Sequence, residues 1–282
     1  EFGEVLYRYD GYGGINKLYL GNSWNIGNNL SLGINFNYYF GNITRRRIAL
    51  FDTTNFVNTR FTNSSFISDF NATIGIQYYH DISDDYTLSF GAIVGTPNEL
   101  NTKNTILAER FSGRNIDIRA KDTVSLEKNQ KGSISMPLSI GAGLGFGKKE
   151  RWYIGIDGEW QNWNKYQANE IKDSLADGLR LSLGGFIVPK DKLEANLFRR
   201  AKYLYGIHYY DSYLELKNTS LIKYGISFGL GLPLRKSKTN IQISLELGKM
   251  GTTENNLIQE TYGMLRIGLN IYEKWFFKRS FD

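Results

Sequence analysis

The chain contains no cysteine, four prolines and two histidines among its 282 residues. The missing cysteines exclude disulfides and thiolate metal sites, and are compatible with an oxidising compartment. No run approaches the roughly 18 consecutive apolar residues of a membrane helix, so the chain does not cross a bilayer as helices. A basic segment leading into an apolar stretch, the mark of an export signal, is also missing at Glu1. The net charge of +6 is spread over turns and loops without a clustered basic helix or motif, and no nucleic-acid partner is expected.

What is present is aromatic and rich in glycine: aromatics make up 15% of the residues, with 19 tyrosines, and there are 30 glycines. Mean hydropathy is −0.37, which suits a membrane barrel, because such a barrel turns only alternate residues toward lipid and keeps the others polar. The stretch LSLGINFNYYFG carries that alternation. Leu30, Leu32, Ile34, Phe36, Tyr38 and Phe40 are interleaved with Ser31, Gly33, Asn35, Asn37, Tyr39 and Gly41, which gives a strand one apolar face and one small polar face. It is longer than the roughly 5–6 residues of a soluble strand and matches the about 9–11 of a tilted membrane strand.

The same pattern recurs along the chain. Residues Glu1 to Gly14 read as a loop or a frayed strand end before Ile15 to Trp24. Further alternating segments cover Phe66 to His80, Tyr86 to Val94, Met136 to Phe146, Trp152 to Trp160, Leu179 to Ile187, Tyr203 to Tyr209, Tyr224 to Leu232, Ile241 to Leu247 and Leu265 to Ile271. Tight turns are expected near 28, 84, 149, 195 and 237. Long polar segments are expected near 53, 115, 170, 215 and 255, among them Asn42 to Ser65, Pro97 to Gly132, and Trp163 to Asp177 with a short helix. Strict alternation of short and long connections is the mark of a barrel with short periplasmic turns and long extracellular loops. Aromatics at strand ends (Tyr38 to Phe40, Tyr78, Tyr79, Trp152, Trp275) supply the interfacial girdles.

The expected fold is therefore all-β: a transmembrane antiparallel up-and-down β-barrel of about 12–14 strands, about 11 of them visible, forming a single domain over residues 1–282. Because such barrels have even strand numbers and start from the periplasm, at least one ascending strand is expected before residue 15.

The entry GYGGINKLYLGNSWNIGNNLSLGINFNYYFG and the ending YGMLRIGLNIYEKWFFKR resemble members of the FadL/OmpP1/TodX-like outer-membrane family, in the form found in Bacteroidota. The resemblance implies a 14-stranded barrel in the outer membrane of a Gram-negative bacterium, surrounded by outer-membrane lipid. It also implies passage of a hydrophobic small molecule such as a fatty acid. The family's N-terminal hatch would lie before Glu1. Related barrels also serve as non-transporting subunits, so protein subunits of a secretion or assembly complex are the alternative partners.

No catalytic site, metal site or cofactor is expected. His80 lies beside a short turn and His208 within a strand without a convincing neighbour, so neither supports a nucleophile and base pair. Inward charges are more informative. Asp157, Glu159, Arg180, Lys202, Glu246 and Arg266 fall opposite the apolar rows of their strands, where they either form a salt-bridge ladder or select a ligand in the lumen. Gly141, Gly143, Gly145 and Gly147 lie within a strand, so they leave space beside the wall and do not cradle phosphate. Phe51, Phe56, Phe61 and Phe111 in the long segments are the expected apolar contacts for cargo or a protein partner.

Overall fold

A computed structural model describes residues 4–51, 57–113, 120–169, 171–172, 175–189, 196–233 and 239–271. One antiparallel sheet of fifteen strands contains β1 (Val5–Ile26), β2 (Leu30–Phe51), β3 (Asn58–Asp81), β4 (Tyr86–Gly95), β5 (Asn98–Phe111), β6 (Asp122–Met136), β7 (Ser139–Lys148) and β8 (Trp152–Gln161). It continues through the two-residue β9 (Gln167–Ala168) and β10 (Ile171–Lys172), then β11 (Gly178–Ile187), β12 (Lys202–Leu216), β13 (Thr219–Pro233), β14 (Asn240–Gly251) and β15 (Gln259–Asn270). One four-residue helix (Leu197–Arg200) and two 3-10 turns complete the described elements. No described helix is long and apolar enough to cross a membrane.

The architecture is the transmembrane antiparallel up-and-down barrel that the alternation predicts. Its rows follow from register, because residues facing each other across an antiparallel ladder share one face. Leu32, Ile76, Ala92, Ala142, Gly158, Leu181, Tyr209, Tyr224, Lys249 and Thr261 form one such row. The apolar members of this face are exposed on the protein, among them Phe36, Ile74, Leu144, Ile156, Ile207, Phe228, Leu245 and Ile267. Large apolar side chains aimed outward in parallel rows are what a hydrocarbon solvent requires. From β1 to β15 the path through β2, β3, β4, β7, β8, β11, β12, β13 and β14 reverses direction at each step, so β1 and β15 run the same way. Among the described residues β1 pairs only with β2, and β15 only with β14.

The long connection expected near 255 is present between β14 and β15, but much of the two longest polar segments is strand. β2 runs on to Phe51 and β3 starts at Asn58, paired from Leu30↔Tyr78 to Ala49↔Thr59. The expected loop Pro97 to Gly132 contains most of β5 and β6. Glu1 to Gly14 likewise includes the first half of β1, and the expected long segment near 215 is a two-residue turn, Lys217–Asn218, with both φ positive as a hairpin turn of this kind requires. Beyond the bilayer neither face of a strand needs an apolar row, so Thr44 and Ser64 can bond to each other across the ladder at 3.0 Å while the hydropathy pattern disappears. In Trp163 to Asp177 the short helix is a 3-10 turn at Trp163–Lys165, and β9 and β10 form a small hairpin beyond it. The turns expected near 195 and 237 and the aromatic Trp275 lie outside the described residues.

The upper hairpin β5–β6 stands on the membrane hairpin β4–β7. Gly95 faces Ser139 and Asn98 faces Met136, so Pro97 and Pro137 occupy facing positions at the break between them. β3 spans both levels: its lower part pairs with β4 and its upper part with β5. The main buried cluster lies above this junction. Ile67, Leu100 and Ile134 pack with Tyr39, Ile43 and Met136, and Tyr166 and Ala168 cover them where the β9 segment folds onto β6. Asn169 ties that segment down by accepting from Thr102 Oγ1 (3.0 Å) and Asn104 Nδ2 (2.9 Å) and by donating its backbone N–H to Ser133 (2.7 Å).

Candidate functional site

The inner wall is built from the face opposite the lipid rows. Glu246 on β14 is 7% exposed, and four side chains from neighbouring strands surround it. Arg266 on β15 donates from Nη1 to Oε2 at 2.9 Å, and Tyr262 donates its hydroxyl to Oε1 at 2.9 Å. His208 Nε2 lies 3.7 Å and Lys223 Nζ 4.0 Å from Oε1. A buried carboxylate is tolerated only with such charge-assisted partners. Tyr262 also covers Gly248, where an added Cβ would lie 2.6 Å from its hydroxyl.

Of the six inward charges expected from the sequence, register brings two pairs together. Glu246 meets Arg266, and Glu159 faces Arg180 at 3.8 Å. Arg180 also stacks on Tyr210, at 5.2 Å from the ring centroid. Lys202 joins neither pair; its ammonium lies 3.5 Å from the centre of the Phe186 ring. Asp157 faces Ser182 on β11 and Gly143 on β7. Tyr262, Lys223 and His208 were missed as members of a cluster. Tyr262 sits at period two from Arg266, which was a usable signal, whereas the proximity of His208 to Glu246 depends on the register of three strands.

Between these groups the wall is nearly bare. A cavity of about 710 Å³ is lined by Gly143, Gly184, Gly206, Asp157 and Arg266, among others. Its lower lip is apolar, with Tyr153 against Phe186 (6.1 Å between centroids) and Leu204 facing Phe186. Tyr153 bonds to Ser89 through the two hydroxyls at 2.9 Å and lies over Gly145 and Gly155. At the rim of short turns, the Thr87 hydroxyl and the Lys149 ammonium hold the Asp81 carboxyl below its ordinary range, and Asp85 holds the Lys148 ammonium above its own.

The four expected loop aromatics separate. Phe111 is fully buried beneath Arg60, whose guanidinium lies 5.6 Å from the ring centroid, so it offers no surface. Phe51 is half-buried, Phe61 is 40% exposed, and Phe56 lies outside the described residues. Among the described residues no group of three or more His, Asp or Glu could hold a metal ion.

No curated protein matches the sequence. Among solved structures, the chain is similar to a chain of the RagAB peptide importer in its closed-closed state, with a TM-score of 0.53 and 10% identity. That likeness covers 95% of this chain but 35% of the importer chain, so this protein spans about a third of its length. A weaker likeness to the CymD monoaromatic hydrocarbon channel (TM-score 0.39, 11% identity, 89% of this chain and 85% of that one) carries no argument. The sequence matches the BamG family over residues 2–282. What these likenesses bear out of the resemblance to FadL-like barrels is the outer-membrane β-barrel. This outer-membrane β-barrel belongs to the BamG family.

Proposed function

We propose that the chain is a non-transporting subunit of a protein-assembly complex in the outer membrane of a Gram-negative bacterium, folded as a single barrel domain over residues 1–282. The observation that carries this reading is the wall of paired strands β1, β2, β3, β5 and β6 standing above the membrane rows. A wall of paired strands above the bilayer is a platform suited to docking another protein, whereas a conduit has no need of it. Membership of a family of barrels associated with the Bam complex supports the same reading. Gentle purification from native membranes tests it: a stoichiometric protein neighbour is expected, and a barrel that purifies alone refutes it.

A second reading is uptake of a hydrophobic small molecule such as a fatty acid. The bare glycine wall above the inward apolar lip of Tyr153, Phe186 and Leu204 supports it, because apolar side chains in a polar lumen suit an apolar occupant. Mass spectrometry of the purified barrel separates the two readings. A retained acyl ligand without a protein neighbour favours uptake.

A further inference from the structure

The two faces of the upper wall are finished differently. On one face Arg8 pairs with Asp10 at 2.9 Å, Arg60 pairs with Glu109 at 2.8 Å, and Arg46 lies over Tyr12 and donates to its hydroxyl. Ile48 and Phe111 are buried there. The three arginines on that side, Arg8, Arg46 and Arg60, are thus already partnered within the chain.

The opposite face is unfinished. Register places Tyr9, Arg47 and Phe61 in one row across β1, β2 and β3, with Tyr7 and Arg45 in the rows on either side. Tyr7 is 63% and Tyr9 71% exposed, and Arg45 and Arg47 are exposed with no ion pair among the described residues. Arg110, further along the Tyr7 row, is exposed and stands opposite Asp122 across the ladder. Arginine interleaved with exposed aromatics is the composition enriched at the energetic centres of protein interfaces.

The patch also stands clear of lipid. Tyr9 is about 15 residues along β1 from Trp24 near the short-turn end, which is about 50 Å of strand, or about 38 Å in height at a tilt of about 40°, against an apolar band of about 25 Å. That is about 13 Å above the band, beyond the roughly 5–8 Å that a phospholipid headgroup layer adds on each side.

We infer that this face of β1–β3 is a docking surface for an acidic protein segment, whose carboxylates meet Arg45 and Arg47 while its apolar side chains lie against Tyr9 and Phe61. The inference rests on the subunit reading and names the surface through which the subunit is held. An anionic glycolipid would share the charge but not the need for flat aromatic contacts.

Photo-crosslinking in intact native membranes tests it, with benzoylphenylalanine at Tyr9 and, as the opposite-face control, at Leu6, which is 65% exposed. The expected result is one discrete protein adduct at Tyr9, at least about tenfold stronger than at Leu6, with Asp and Glu residues at the crosslinked segment. Arg45→Glu with Arg47→Glu should reduce the Tyr9 adduct at least about tenfold, while Arg45→Lys with Arg47→Lys should retain most of it. Heat-dependent gel mobility verifies that each variant is a folded barrel. Equal adducts on both faces, a glycolipid adduct, no adduct, or indifference to the charge reversal would each overturn the inference. If a stoichiometric neighbour copurifies equally with wild type and the double Glu variant, the docking surface is wrong and the subunit reading stands. If no neighbour copurifies with wild type, the subunit reading itself has failed.

Discussion

Replacing Ile207 with arginine tests the assignment of faces at one residue. Ile207 lies on β12 between Leu183 and Ile226 and is 56% exposed on the outer row. With a rise of about 3.3 Å per residue and a tilt of about 40°, each residue climbs about 2.5 Å, so a band of about 25 Å takes about ten residues. Counted from Lys202 at the short-turn end, that band ends near Asp211 and its midplane falls at Ile207. Arginine there should cost about 2–4 kcal/mol, the range for a cation facing lipid at the bilayer centre. The control is Ser182→Arg on the inner face, between Asp157 and His208, where a cation meets water and a carboxylate and should cost less than about 0.5 kcal/mol. Both values follow from reversible urea unfolding in phosphatidylcholine vesicles, read by tryptophan fluorescence. Equal costs at the two sites would show that β11 and β12 do not present the faces described.

Three further outcomes are expected. Glu246→Ala should lower stability by about 1–3 kcal/mol in the same assay, because it removes the acceptor of Tyr262 and the partner of Arg266, and Glu246→Gln should cost less because its amide still accepts from Tyr262. Gly13→Ala should cost about 1–3 kcal/mol, since Gly13 has φ of +101° and an added Cβ would lie 2.0 Å from the Asn42 carbonyl oxygen, while Gly11→Ala, with open space around it, should be near neutral by thermal midpoint. The depressed Asp81 carboxyl contributes stability that is complete above its unfolded value of about 3.9 and is lost as pH falls through the lower folded value. Acid titration of unfolding should therefore show a component below pH 4 that Asp81→Asn removes.

The membrane part of the fold was legible because lipid enforces a two-residue period. Leu30 to Phe40, Leu179 to Leu183 and Leu265 to Ile271 can hardly be read otherwise, and their strands fall where the pattern puts them. The upper wall was not legible for the same reason in reverse. Strand pairing there depends on backbone bonds and on contacts such as Arg60 to Glu109, which leave no hydropathy period, so Thr44, Arg46 and Thr62 looked like loop residues. At the inner wall the face of each charge followed from period two, but which charges meet depends on register across strands far apart in sequence. Nothing local in the sequence places His208 beside Glu246, or buries Phe111 while leaving Phe61 exposed.

The two facing prolines at 97 and 137 have a mechanical consequence. Neither can donate a backbone hydrogen to the other's strand, so the ladder that would carry force straight from β5–β6 into β4–β7 is interrupted on both sides at one height. The upper hairpin is instead fastened through its flank, where β3 passes unbroken from Asn58 to Asp81 and pairs with both levels. A load applied to the tip of the wall is thus passed sideways into β3, and it reaches the rows below through that strand's own backbone instead of straight down the hairpin.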